Sequence, residues 1–194
     1  MDTSKVGHLI LRLRREKGFT QKELADRMNL SDRTISKWER GQGCPDISLL
    51  PELSSLLGVN IEHILEGELA SNDFVGGNMK RSNYFVCPSC GNITLSTGNA
   101  SVSCCGRKLE ALVPKKATDE EKLEVTQVEE DWFISSNHPM TKEHYISFIA
   151  FATGDQVQLI KQYPEWGLQT RIPKRKHGML LWYCTQHGLF YQLI

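Results

Sequence analysis

No run of about 18 apolar residues occurs anywhere in this 194-residue chain, which excludes a membrane-spanning helix. The opening Met1-Asp2-Thr3-Ser4-Lys5 lacks the charged and then apolar segments of a secretory signal, so a reducing cytoplasm is the expected location. Net charge is also lacking: 23 Lys and Arg balance 23 Asp and Glu, so the total argues neither for nor against a nucleic-acid partner. The distribution says more. Residues 41–69 contain no Lys or Arg and five acids, whereas residues 5–40 hold ten Lys and Arg against five acids. One face of the first domain is thus expected to be basic and its far side acidic.

What is present begins with helices. Val6, Leu9, Ile10 and Leu13 recur at helical spacing, and Gly18 ends that segment. Thr20 followed three residues later by Glu23 is a capping-box signal for a second helix through Leu24, Ala25 and Met28. Ser31 is a good N-cap for a third, Asp32 to Arg40, with Ile35 and Trp38 inward and Asp32, Arg33, Ser36 and Lys37 outward. Ile47, Leu50, Leu53, Leu56 and Leu57 predict a fourth helix, and Asn60 opens a fifth through Ile61, Ile64 and Leu65.

The strings Phe19-Thr20-Gln21-Lys22-Glu23-Leu24-Ala25 and Ser31 to Gly41 resemble the helix-turn-helix domain of the Xre and Cro type, over residues 6–67. The resemblance implies that the third helix enters the major groove of an operator. Gln21 and Ser36 would lie near phosphates, while Asp32, Arg33 and Lys37 would reach base edges. With the capping Ser31 they form the candidate DNA-binding set. Arg33 has the donors for two hydrogen bonds to a guanine, and Lys37 lies one turn further on. Arg14 and Glu39 match a structural salt bridge of the family. Such domains bind as dimers to two half-sites, so a homodimer is expected.

Residues 68–83, rich in Gly, Asn and Ser, read as a linker. Beyond it, Cys87, Cys90, Cys104 and Cys105 supply four of the six cysteines. A Cys-x-x-Cys turn points two thiolates at one centre, and a second pair brought back by a hairpin completes a tetrahedral site for zinc or iron. Disulfides fit poorly, because adjacent Cys104 and Cys105 cannot bridge without strain. Tyr84-Phe85-Val86 is read as entering the turn, Ile93-Thr94-Leu95 as leaving it, and Ser101-Val102-Ser103 as the returning strand. The strings Cys87 to Ile93, Cys104-Cys105-Gly106 and Leu112-Val113-Pro114 resemble desulforedoxin, the small iron domain at the front of desulfoferrodoxins. That resemblance implies iron held by four thiolates over residues 84–115.

Past Lys116 seven short apolar segments separated by turns predict a β-sandwich, assigned to residues 116–194. His138 to Ile146 and Cys184 to Leu189 carry histidines and a cysteine. Together these clusters resemble the catalytic domain of superoxide reductases, which implies a mononuclear iron bound by His138, His144, Cys184 and His187. That family uses one more histidine, in a Glu-Lys-His segment. Here the segment reads Glu121-Lys122-Leu123, and no histidine lies between Cys105 and His138. Leu123 is therefore expected in the lost ligand's place, and Lys122 is the one catalytic candidate if the chain is a superoxide reductase. Three imidazoles and a thiolate still suffice for iron or another metal, and suit zinc as a closed tetrahedron; an apo site kept for packing is the alternative. His8, His63 and Cys44 are isolated and are read as structural.

The expected architecture is multidomain: a five-helix all-α helix-turn-helix domain over 1–67, a metal-bound β-hairpin knuckle, and an immunoglobulin-like all-β sandwich. The expected function is a cytoplasmic transcriptional regulator that binds double-stranded operator DNA as a homodimer and senses redox state or metal. The alternatives are a superoxide reductase tethered to DNA and a degenerate dimerisation module.

Overall fold

The computed structural model describes residues 2–71, 77–175 and 177–194. Its contacts divide the chain into two compact units, the first ending at Ser71.

The first unit is a bundle of five helices. Helix α1 (Thr3–Glu16) starts three residues ahead of its first predicted apolar position, because the Asp2 carboxylate accepts hydrogen bonds from the backbone N–H groups of Ser4 and Lys5. The capping box at Thr20 and Glu23 forms as expected and opens α2 (Gln21–Arg27). Ser31 caps α3 (Asp32–Glu39), which buries Ile35 and Trp38. Helices α4 (Leu50–Leu57) and α5 (Ile61–Glu66) complete the unit, each stopped by a glycine in the left-handed conformation, Gly58 and Gly67. The fourth helix differs from its sequence reading. Residues Ile47–Leu49 form a separate 3₁₀ turn capped by Asp46, and Ile47 is 79% exposed rather than part of the apolar stripe. Pro51 in the first turn explains the later start, since proline is pre-organised for that position.

The core joins Val6, Leu9, Ile10 and Leu13 of α1 to Leu24, Ile35, Trp38, Leu53, Leu57 and Ile64. Each such side chain contributes about 1.5–3 kcal/mol on burial. Helices α1 and α3 approach closely at Gly7, where an added Cβ would lie 2.2 Å from the Trp38 carbonyl oxygen.

The second unit is β-rich. Strands β1 (Asn83–Val86) and β2 (Ile93–Ser96) form one hairpin around the first cysteine pair; β3 (Val102–Cys104) and β4 (Arg107–Leu109) form another around the second. The returning strand of the sequence reading therefore pairs forward with β4, not back with β2. The tight turn at Cys105 and Gly106, both at positive φ, brings β4 directly alongside β3.

Strands β5 (Lys115–Lys116), β6 (Glu124–Val128), β7 (Asp131–Ser135), β8 (Ile146–Ala152), β9 (Val157–Lys161), β10 (Gln169–Pro173), β11 (Met179–Cys184) and β12 (Gly188–Leu193) follow. They make a three-stranded sheet, β10-β7-β6, and a five-stranded sheet, β5-β12-β11-β8-β9. The seven predicted segments appear as β6 to β12. Ile134 and Ile172 of the smaller sheet share a core with Ile149, Phe151, Leu180, Trp182 and Phe190 of the larger. Strand β8 is buried at all seven positions because its other face is covered too, by Tyr84 of β1 packing on Phe148, Ala150 and Leu181. The knuckle is thus seated on the sandwich, helped by a 2.8 Å bond from the Leu112 N–H to the Tyr84 carbonyl.

Part of the expected linker is built into this unit. Met79–Arg81 form a 3₁₀ turn, the Met79 N–H donates to the Gly154 carbonyl at 3.0 Å, and Ser82 is buried. Residues 72–76 of that linker lie outside the described residues.

Candidate DNA interface and metal centres

Gln21, Asp32, Arg33, Ser36, Lys37 and Arg40 line a shallow cleft of about 350 Å³ on the first unit. Five of the six predicted DNA-binding residues meet there. Ser31 is the exception, because its hydroxyl accepts the Thr34 N–H at 3.2 Å and contacts the Thr34 hydroxyl at 2.9 Å. The cleft rests on a buried ion pair: Arg14 binds Glu39 through two nitrogens, one at 3.1 Å, and also donates to the Phe19 carbonyl. Gln21 donates to the same Glu39 carboxylate at 2.6 Å, which fixes its amide at the cleft floor. Arg40, expected only as the end of the third helix, was not in the candidate DNA-binding set. It donates to Ser36 Oγ at 2.7 Å, one turn away on α3, and that i,i+4 spacing of an exposed base was the available signal.

In the knuckle, the donor atoms of Cys87, Cys90, Cys104 and Cys105 all lie within 4.8 Å of one another. Cys90 and Cys104 sulfurs are 3.5 Å apart. The turns close on themselves, with Gly91 N–H donating to the Cys87 carbonyl and Cys87 N–H to the Asn92 carbonyl, both at 2.9 Å. Burial pushes the Cys87 thiol up, but the backbone N–H groups of Cys90 and Ser89 and the Cys90 and Cys104 thiols outweigh it and bring it down to about 6. Cys105 moves the other way, to about 12, through hydrogen bonding with Cys90, then Cys104 and Cys87. One thiolate forms readily, while Cys104 and Cys105 are held in the thiol form. A cation at the centre removes that conflict, so the donor set fits a metal. Asn92, whose amide donates to the Cys104 sulfur at 3.7 Å, supports the cysteine set from within the Cys87 to Ile93 segment, a role that its residue type alone does not signal.

The second cluster sits where two loops meet. His138 and His144 come from the β7–β8 connection, Cys184 ends β11 and His187 lies in the β11–β12 turn; their donor atoms also lie within 4.8 Å of one another. The rings of His138 and His144 meet edge-on with centroids 4.5 Å apart, and those of His144 and His187 likewise at 4.7 Å. Cys184 Sγ is 3.5 Å from His187 Nδ1. The pairing of β8 with β11 slips by one residue at Tyr183 and Cys184, a bulge that leaves Ser147 unpaired. Burial, then the charges of His144 and His187, hold His138 below the ordinary imidazole range, so it is neutral and able to ligate. Both ring nitrogens of His138 and Nε2 of His144 are buried without a hydrogen-bond partner. A buried orphan acceptor is costly, and a bound cation satisfies it. This set, too, fits a metal.

The expected position of Leu123 is corrected by the structure. Leu123 is 4% exposed and packs into the sandwich core rather than lining the cavity of about 500 Å³ in front of the cluster. Its backbone is held on both sides by the Gln192 amide, which accepts from Leu123 N–H at 2.9 Å and donates to its carbonyl at 3.1 Å. The cavity rim carries Glu120, Glu121, Lys122 and Glu124 instead. Lys122 is paired with Asp119 at 2.6 Å.

Comparison with known proteins agrees with this division. A helix-turn-helix family model matches residues 10–64. The HTH-type transcriptional regulator y4dJ of Sinorhizobium fredii is 46% identical over 61 residues, covering 31% of this chain and 79% of that protein. A desulfoferrodoxin homolog of Methanothermobacter thermautotrophicus is 30% identical over 117 residues, covering 55% of this chain and 94% of its own length. The chain belongs to the desulfoferrodoxin family, with an Xre-type helix-turn-helix domain in front. Two other helix-turn-helix regulators, by contrast, are spanned over only 28% and 62% of their length. The fold of the desulfoferrodoxin region is that of the superoxide reductase from Treponema pallidum, which superposes with a TM-score of 0.50 at 20% identity and covers 58% of this chain and 98% of the other. Among the described residues no helix is long and apolar enough to cross a membrane.

Proposed function

We propose that this chain is a sequence-specific transcriptional regulator of the cytoplasm, and that its desulfoferrodoxin unit senses redox state or metal supply. It binds a double-stranded operator as a homodimer. The observation that carries the reading is the cleft itself: Arg33, Lys37 and Arg40 present three cations along one helix, on a chain that also holds two converging sets of metal donors. Arg33 and Asp32 sit at the N-terminal end of α3, the end that meets base edges in this motif, while Gln21, Ser36 and Arg40 flank it at the level of the phosphates. Ser31 holds the first turn of that helix in place.

The four-cysteine site takes iron or zinc, and the three-histidine, one-cysteine site takes iron or another metal. When bound, the metal supplies either a one-electron couple or a fixed cross-link between loops. Everything else is the work of the chain: Tyr84 of the knuckle packs on Phe148, Ala150 and Leu181 of the sandwich, which joins the two parts that carry the donor sets. The test is operator affinity, measured by anisotropy on a selected sequence with metal-loaded and chelated full-length protein. A change of tenfold or so with metal state supports the sensing role, and identical isotherms eliminate it.

A second reading, superoxide reduction, draws on one observation: Lys122 lies on the rim of the cavity facing the second cluster. Against it stand the Asp119 pairing of that lysine and the burial of Leu123. Oxidation of the reduced protein by superoxide no faster than that of free iron would remove this reading.

A further inference from the structure

We infer that the cluster of His138, His144, Cys184 and His187 is a closed four-donor site that selects zinc, and that zinc occupancy there is the signal the desulfoferrodoxin unit reports. The second clause rests on the metal-sensing function proposed above; the first does not.

Three features converge on zinc. The donor set is three imidazole nitrogens and one sulfur, and among the described residues no carboxylate joins them within the 4.8 Å span. With zinc–sulfur and zinc–nitrogen bonds of about 2.3 and 2.0–2.1 Å, the edges of a tetrahedron are about 3.3–3.8 Å. Cys184 Sγ and His187 Nδ1 already stand at that separation, 3.5 Å. Small rotations of the half-buried His138 and His144 rings would close the rest, since both nitrogens of His138 and Nε2 of His144 have no other partner.

The second feature is the fate of the fifth donor. Five-coordinate iron needs another ligand from the segment that here carries Leu123, and that segment is not free to supply one. Gln192 grips both backbone polar groups of Leu123, so a register slip would break two buried hydrogen bonds and expose the leucine. Two of the neighbouring acids are engaged as well: Glu121 accepts from the Thr118 N–H and hydroxyl, each at 2.8 Å, and Glu124 accepts from Ser135 at 3.2 Å; Glu120 lines the cavity but falls outside the donor set whose ligand atoms lie within 4.8 Å of one another. The iron chemistry of the wider family therefore does not fit this donor set.

The third is competition. For nitrogen and sulfur donors zinc binds more tightly than iron(II), and a d¹⁰ ion loses nothing by a tetrahedral field. Zinc carries no redox couple, so this site would respond to metal supply and leave any electron chemistry to the four thiolates of the knuckle. Its open cavity, rimmed by Asp119, Glu120, Glu121 and Glu124, gives a cation an acidic approach from solvent. Occupancy would tie the β7–β8 loop to the β11–β12 turn, and chelation would release them.

Cobalt(II) reads the coordination directly, because four-coordinate cobalt absorbs far more strongly in the visible than five- or six-coordinate cobalt. Full-length protein and its His144→Ala variant are loaded with cobalt anaerobically, and the difference spectrum isolates the second site from the knuckle. The expected result is strong four-coordinate bands with a thiolate charge-transfer band, bleached by equimolar zinc and unaffected by about tenfold excess iron(II). Weak bands, no difference, or displacement by iron(II) would overturn the assignment. Should His144→Ala lose its fold, Leu123→His provides the second arm. It is expected to leave the wild-type cobalt spectrum unchanged, and a gain of five-coordinate iron in that variant would overturn the assignment equally. If the site behaves as described while zinc leaves operator affinity unchanged, the sensing role fails and the four-donor site stands.

Discussion

Glu39 illustrates how one residue serves both fold and function. It is 7% exposed, accepts two hydrogen bonds from Arg14 and a third from Gln21, and so connects the bundle interior to Gln21 in the cleft proposed to meet DNA. Breaking a buried pair strands the surviving charge, so Glu39→Ala is expected to lower stability by about 3–5 kcal/mol in urea unfolding, with weaker DNA binding as a consequence. Arg33→Ala should do the opposite: stability stays within about 0.5 kcal/mol, since the side chain is exposed, while specific binding weakens by about 1–3 kcal/mol and sequence preference relaxes at one position. An unaltered footprint for Arg33→Ala would count against this docking. The four cysteines that converge were legible from their spacing, whereas His138, His144, Cys184 and His187 were legible only through the resemblance to superoxide reductases. The direction of Leu123 was not legible. It depends on Gln192, 69 residues later, and no local pattern announces a clamp of that kind.

Helices and strands of the chain were read with uneven success, for reasons of length and capping. Strands β6 to β12 follow short apolar or aromatic segments bounded by turns, whereas β4 (Arg-Lys-Leu) and β5 (Lys-Lys) are too short and too charged to show any period. The β8 bulge puts Ile146 and Ile149, three residues apart, into one core, which simple alternation cannot anticipate. Caps are the clearest signals, and two of them support the reading helix. Ser31→Ala should lower stability by about 1 kcal/mol through loss of the α3 cap. At α2, the Thr20 backbone N–H and then its hydroxyl hold the Glu23 carboxyl below its ordinary value of 4.5. A carboxylate depressed by folding stabilises above its unfolded pKa, and that contribution is lost as pH falls from there through the folded one. The helix-turn-helix unit should therefore lose stability below about pH 4.5, and Glu23→Gln should flatten that part of the pH profile in thermal melts.

At the scale of the molecule, the two units differ in what holds them together. The first has a continuous apolar core of leucine, isoleucine and tryptophan and no metal donor set among its described residues. The second divides its buried apolar residues among three clusters, one of them only Phe85, Cys87 and Leu109 around the cysteine turn, and its β7–β8 loop carries unpartnered ligand atoms of His138 and His144. Stability that comes from a bound ion scales with its concentration, about 2.7 kcal/mol at a hundredfold excess over the dissociation constant. Calorimetry of the whole chain is thus expected to show two transitions, of which a strong chelator lowers only one. That same transition should also move down as pH falls below about 6.5, because His138, held neutral by burial, must bind protons in the unfolded chain before it does so in the folded one. A single transition insensitive to chelator would mean that the donor sets contribute nothing to folding, and that the convergence of eight ligand residues in this unit serves some purpose other than holding metal.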